Sequence, residues 1–461
     1  MFAIAMVPSE QSRRLREKKR TWKPGASFGA FFLGGLIAMS ISLTCFGVVA
    51  DDWPQINGPN RNGVAVHESL QTRWPADGLK QVWSHAVGQG NAGPAIADDK
   101  LIIFHRPGKN YLVEALDPET GKQNWKQELP AEYTGGMDGD LGPKCVPLIH
   151  DGHVYLLGAG GNLFCLKFKD GSIVWQKNVL KEYKCQPGYF GVGSTPIVVD
   201  GKLILNAGGR NAAIVAFEPT TGREAWKSFN DEASYSSPIE IQIDGQSVVV
   251  FVTRLNLVGL NPKTGNLLFQ TPFGKSGPTV NGAMPVRVSL EGKEFLFVSA
   301  AYGVGAHWLE ISKDKLEEKW SNDSSFSSQY STPVFSDGGL FGTAGREDFK
   351  DGSYRCIDPT NGKVFWQQDD FPVGHSLLVG KQILVLDSSG GFHVIEADKS
   401  RFKRIYQTKL FDSDARAMPA IANGLYYARS NSNRTSRGFA PPRGGPGLGK
   451  LVCVEVGKRK K

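Results

Sequence analysis

The sequence predicts an all-β fold: an eight-bladed β-propeller of four-stranded antiparallel blades, its ring closed by an N-terminal strand at about 81–87 that completes the C-terminal blade. Three observations carry this. First, a tight-turn signal recurs eight times, at spacings of 42 to 53 residues: Asp98-Asp99, Asp151-Gly152, Asp200-Gly201, Asp244-Gly245, Glu291-Gly292, Asp337-Gly338, Val379-Gly380 and Asn423-Gly424. Repeats of this length belong to propellers and solenoids, where one unit cannot bury its apolar face alone. Second, an aromatic follows within thirty residues of every turn but the last: Trp125, Trp175, Trp226, Phe269, Trp320, Trp366 and Tyr406, with Trp83 ahead of the whole series. Third, the two series are therefore offset by one, as a closed ring requires.

The third unit shows why each repeat is a blade. Ser194–Val199 and Lys202–Asn206 are β-rich runs flanking Asp200-Gly201, the strongest short hairpin signal. Ala213–Phe217 is a third strand, Thr221-Gly222 a second turn and Glu224–Lys227 a fourth strand. Seven such second turns occur against eight first turns. The eighth unit ends on its third strand, Leu451–Val456, while Gln81–Val87 is a fourth strand with no blade of its own. Joining the two removes exposed strand edges. The aromatics Trp83, Trp125, Trp175, Trp226, Phe269, Trp320, Trp366 and Tyr406 are expected to be architectural, docking one blade on the next.

Residues 1–50 read as an export signal or a membrane anchor. A basic run from Arg13 to Lys23 precedes 23 uncharged residues, Phe28–Ala50, and Val48-Val49-Ala50 offers small residues ahead of a cleavage site after Ala50. The uncleaved alternative is a span at 28–50. Either places the body outside the cytoplasm, in the periplasm or cell envelope. Residues 51–80 form an N-terminal extension, 81–456 the propeller and 457–461 a basic tail. The net charge of +8 lies at the ends: residues 1–23 carry +5 and 434–461 carry +7, which leaves −4 for the body. A mildly acidic body excludes the basic face that nucleic-acid binding needs.

Ala115–Trp125 (ALDPETGKQNW), Ala216–Trp226 (AFEPTTGREAW) and Cys356–Trp366 (CIDPTNGKVFW) resemble the tryptophan-docking motif of pyrroloquinoline-quinone (PQQ) repeats. The resemblance covers about 81–456. It implies one of two kinds of protein. One is the non-enzymatic eight-bladed scaffold, of which the lipoprotein of the outer-membrane barrel-assembly machinery is an example. The other is the quinone-dependent alcohol or sugar dehydrogenase, with PQQ and calcium. The opening Asp52–Gly63 (DWPQINGPNRNG) resembles a further set of exported bacterial PQQ-like propellers.

Quinone chemistry needs a bound cation, a carboxylate base and flat groups to clamp the ring. The enzymes' adjacent-cysteine clamp has no counterpart here, no Asn-Asp calcium signature stands out, and no stretch matches their active-site motif. No catalytic residue, metal ligand or cofactor is therefore assigned. Cys145 and Cys185 lie at neighbouring inner strands, and export permits a disulfide between them. Cys165, Cys356 and Cys453 fall on third strands as core thiols.

The loops after the second strands share a face with the blade-to-blade connections. Arg106, Arg210, Arg254, Arg346 and Arg429 fall at or near those tips, with Tyr302, His105 and Glu347 close in the pattern and Asp138 and Asp140 in the connection before blade two. Such a face suits an acidic peptide, carboxylate or phosphate group. The Gly- and Pro-rich insert 431–449 joins the same face. The expectation is a monomeric, exported scaffold that binds a protein or anionic polymer.

Overall fold

Two consecutive residues with positive φ turn most first hairpins. Asp151 and Gly152 have φ of 47° and 69°, Asp200 and Gly201 49° and 69°, Asp244 and Gly245 49° and 75°. This is the backbone whose twist matches paired strands, and Asp-Gly tolerates it. The computed structural model describes residues 52–312, 315–431 and 449–459. The export or anchor segment and nearly all of the 431–449 insert lie outside them. Among the described residues, eight sheets form, seven of four antiparallel strands and one in which a fifth, parallel strand joins the four. No helix there is long and apolar enough to cross a membrane.

The ring closes as the offset requires. Gln81–Val87 pairs antiparallel with Gly449–Glu455, aligning Trp83 with Cys453 and His85 with Leu451. Blade eight is therefore built from both ends of the described chain. Neighbouring blades press apolar faces together: Leu157, Leu163 and Cys165 of blade two pack with Leu203, Leu205 and Val215 of blade three.

Six tryptophans hold each blade to the next by one device. The indole Nε1–H donates to a backbone carbonyl in the following blade's second turn, as from Trp83 to Pro118 (2.9 Å), Trp175 to Pro219 (2.7 Å) and Trp226 to Pro262 (2.8 Å). Trp125, Trp320 and Trp366 donate to Phe168, Pro359 and Asp398 in the same way. In five of the six, all but Trp366, the ring then lies on that turn's glycine. At Gly222, φ is +67° and an added Cβ would sit 2.7 Å from Cδ2 of Trp175. Gly222→Ala therefore combines left-handed strain with overpacking and is expected to lose about 2–4 kcal/mol. Urea unfolding of the variant beside the parent measures it; a loss within 0.5 kcal/mol, about what a surface change costs, would refute the docking account.

Two aromatics depart from the pattern. Phe269 has no N–H to give, and its ring covers Gly259 on the adjacent strand of its own blade. Tyr406 stacks on Trp74 of the N-terminal extension, with ring centroids 5.1 Å apart.

The extension does more than lead into the ring. Propeller blades surround a central channel, and residues 53–65 run along it. Trp53 exchanges two backbone hydrogen bonds of 2.8 Å with Ile96 on the inner strand of blade one, and the Pro54 carbonyl accepts from Ile149 N of blade two at 2.8 Å. Arg61 reaches carbonyls at the start of blades three and four, and Asn57 Nδ2 meets Met284 Sδ ahead of blade five at 3.3 Å. Gly63 lies against Val334 of blade six, and Val64–Ala65 pairs parallel with Leu378–Val379 of blade seven. Seven of the eight inner edges thus touch one short segment. Beyond it, Glu68 accepts from Asn423 N (2.8 Å) and Gly424 N (2.7 Å), capping the first turn of blade eight.

Candidate functional site

The sequence places six residues on the face formed by second-to-third-strand loops and blade connections: Arg106, Arg210, Arg254, Tyr302, Arg346 and Arg429. The structure removes two of them. Arg429 is fully buried at the seam of blades eight and one. Its guanidinium donates to the carbonyls of Gly88 (2.8 Å), Ala92 (3.1 Å) and Phe104 (3.5 Å), and burial lowers its pKa to about 10. Arg106 is 8% exposed and donates to the carbonyls of Tyr133 (2.6 Å), Leu141 (3.2 Å) and Gly108 (3.2 Å). Both position backbone and neither is available to a partner. Buried carbonyls must find donors, and a loop-tip arginine can turn inward to meet them.

His105, Asp138 and Asp140 are also committed inside the protein. His105 Nδ1 accepts from Gly88 N at 2.8 Å, which leaves Nε2 to donate to Glu114 at 2.8 Å; His85 meets the same carboxylate at 3.1 Å. Burial alone would raise the Glu114 pKa, but the two histidines more than reverse this and hold it at about 2. Asp140, 6% exposed, pairs with Lys144 at 2.9 Å, and Asp138 approaches the same ammonium at 3.7 Å.

Arg210 and Arg254 come together at a cavity of about 560 Å³ between blades three and four, lined also by Tyr189, Asp231, Glu232 and Leu255. Asp231 Oδ2 organises the wall, accepting from Thr253 Oγ1 (2.6 Å), Asn256 Nδ2 (2.8 Å) and Leu255 N (2.9 Å). Arg254 is fixed by Thr279 Oγ1 (2.8 Å) and the Gly277 carbonyl (2.5 Å), whereas Arg210 stands exposed at the rim. Three large apolar side chains are exposed on the same side: Met137 at 50%, Tyr189 at 39% and Leu255 at 38%. Met137 N donates to the Tyr189 carbonyl at 2.9 Å, which joins the connections before blades two and three. Arginine, tyrosine and methionine together are the composition of protein interfaces.

Arg346 and Tyr302 form a separate group beside blades five and six. The Arg346 guanidinium lies over Tyr302 (4.3 Å) and over Phe349 (4.1 Å), and it is paired with Asp348. Phe349 is 65% exposed. Next to this group is a pair that sequence reasoning missed. Arg416, in the connection into blade eight, donates bidentately to Glu347 at 2.7–2.9 Å, and Tyr330 Oη donates to the same carboxylate at 2.7 Å. His375 Nε2 donates to the Arg416 carbonyl at 3.0 Å, and burial lowers the His375 pKa to about 4. Sixty-nine residues separate Glu347 from Arg416, and no local pattern joins them.

The Cys145–Cys185 bridge is not formed; both are free thiols. Cys145 Sγ faces the Val192 carbonyl at 3.8 Å, and Cys185 Sγ lies where a Cβ on Gly209 would be 2.8 Å away. Burial pushes the two thiols up to about 12 and 11, which makes them poor nucleophiles. Cys165, Cys356 and Cys453 are buried and free. The residues present do not fit PQQ and calcium: the segment 53–65 fills the axis, and no group of three His, Cys, Asp or Glu suited to a metal exists among the described residues.

A family model described as outer membrane protein assembly factor BamB matches residues 73–184 and 109–368. The chain belongs to that family. It is 24% identical over 365 residues to the outer membrane protein assembly factor BamB of Burkholderia pseudomallei, covering 76% of this chain and 84% of that protein. The crystal structure of BamB from Moraxella catarrhalis superposes with a TM-score of 0.56 at 14% identity, covering 81% of this chain and 97% of the other. A europium-containing methanol dehydrogenase superposes with a TM-score of 0.69 at 12% identity, covering 88% and 98%. At such identities the two structures share the fold and carry no more than that. The axial segment 53–65 precedes both ranges matched by the BamB model.

Proposed function

We propose that the protein is an exported, non-catalytic scaffold that works in outer-membrane protein assembly by docking a protein partner between blades two and four. The observation that carries this reading is the surface around the Arg210–Arg254 cavity. A fixed guanidinium, a free guanidinium and three exposed apolar side chains share it. An acidic segment with apolar neighbours matches it in charge and in shape. Membership of the BamB family supports the place of action. Arg346 with Tyr302 is a second contact point on the same face, already half-satisfied by Asp348.

The test is the double variant Arg210→Ala/Arg254→Ala in the full chain, with recovery of barrel-assembly components from cross-linked envelopes as the readout. Arginine truncations at an interface centre cost upwards of 1 kcal/mol each, so recovery should fall by about tenfold or more while the melting curve stays parental. Undiminished recovery sinks the reading. The rival, a PQQ- and calcium-dependent dehydrogenase, is met by adding both to the purified protein with alcohols and a dye acceptor; turnover would establish it. The filled axis stands against it.

A further inference from the structure

The axial segment is held by more than shape. Arg61 is 3% exposed. Its guanidinium donates to the carbonyls of Pro196 and Thr195 at the start of blade three and of Pro238 at the start of blade four, the last at 2.9 Å. Nε donates to Gln55 Oε1 of its own segment at 2.7 Å. These acceptors are all neutral, and burial lowers the Arg61 pKa to about 9. A buried cation without a counter-ion is costly, and apolar side chains fill a channel more cheaply. What the arginine adds is direction, since a planar five-donor fork fits only acceptors set around it. The rest of the segment supplies register. Trp53 and Val64–Ala65 pair with the inner edges of blades one and seven, which flank blade eight, and Gly58 lets the chain fold back against the Trp53 indole, where an added Cβ would be 2.8 Å from the ring.

We infer that the axial channel is a peptide-recognition site, specific for a compact, turn-forming segment that carries an arginine, which the protein keeps filled with its own residues Trp53–Ala65. The specificity element is the cradle of the Thr195, Pro196 and Pro238 carbonyls, and the ligand class is a guanidinium presented on a turn-forming peptide, as Arg61 is at φ of 53°. The inference stands apart from the docking face, which lies on other residues.

The experiment lets the whole chain fold before the site is challenged. A protease sequence is inserted between Ala76 and Asp77, both exposed in a turn, and the purified protein is cut there. The segment N-terminal to the cut is then held without a covalent link. It should stay with the propeller through gel filtration. In Arg61→Ala it should leave about tenfold faster or more, the equivalent of about 1.4 kcal/mol. Methylguanidinium should slow that release in the variant and leave the parent unchanged. If Arg61→Ala does not fold, Arg61→Lys serves, with release again about tenfold faster because the ammonium cannot span the carbonyls. Parental release from the variant, or an equal effect of methylguanidinium on both proteins, overturns the inference.

Discussion

Replacing Gln81–Val87 by a Gly/Ser stretch of equal length should leave a chain that aggregates at room temperature. The replacement keeps the link to the axial segment and removes only the closing strand. Gly449–Glu455 then becomes an open edge, losing its whole register with Gln81–Val87. The seam between blades eight and one loses the Trp83 indole on Gly121 and Pro118, and the His85 contact with Glu114. Burying an aromatic of this size covers 150–250 Å² and is worth about 4–6 kcal/mol at about 25 cal/mol per Å² as an upper figure. Adding the strand's hydrogen bonds brings the loss to the scale of a domain's whole stability, about 5–15 kcal/mol. Thermal melting with light scattering reads the outcome. A variant that melts with the parent and stays clear would mean that the ring does not depend on this strand.

The ring was legible because its signals are local and repeated. Asp-Gly codes a turn through the φ of two adjacent residues, and an aromatic eight times in register with such turns, six times tryptophan, leaves little else to propose. Even the exceptions follow from side-chain chemistry: Phe269 lacks the indole donor, and its blade uses Gly259 instead. The axial segment was not legible. Its partners, from Ile96 to Leu378, are spread over the chain and no period connects them to residues 53–65. Nothing in Asp52–Gly63 distinguishes a loop lying on the surface from one threading a channel.

The candidate face was legible as a set of loops and not as a set of side chains. Blade topology fixes which face carries Arg106, Arg210, Arg254 and Arg429. It does not fix whether each side chain points to solvent or back to a backbone carbonyl. That choice depends on unpaired carbonyls of the neighbouring blade connection, such as Gly88 and Ala92 for Arg429 or Tyr133 and Leu141 for Arg106. Strand register could not reveal them. Arg416 was overlooked for the converse reason: it lies outside any loop tip and gains its role from a carboxylate two blades away.

Arg429→Ala separates the two readings of these arginines by the size of its effect. As a solvated side chain on a binding face, Arg429 could be truncated for less than about 0.5 kcal/mol. As the structure has it, the change empties a fully buried space and leaves the Gly88 and Ala92 carbonyls buried without a donor. Unpaired buried acceptors cost about 1–3 kcal/mol each, and a cavity adds to that. The expected loss is about 3–5 kcal/mol, against nearly none for Arg210→Ala in parallel urea titrations. Arg429→Met restores volume without donors and should recover only the cavity's part, so it places the variant between the two. Equal midpoints for Arg429→Ala and Arg210→Ala would return Arg429 to the face. Because Arg429 ties blade eight to the connection that enters blade one, its loss and the loss of Gln81–Val87 act on the same seam. Combining Arg429→Ala with Trp83→Phe, which keeps the strand but removes the indole donor to Pro118, should therefore destabilise by more or less than the two separate losses, as residues sharing one interface do.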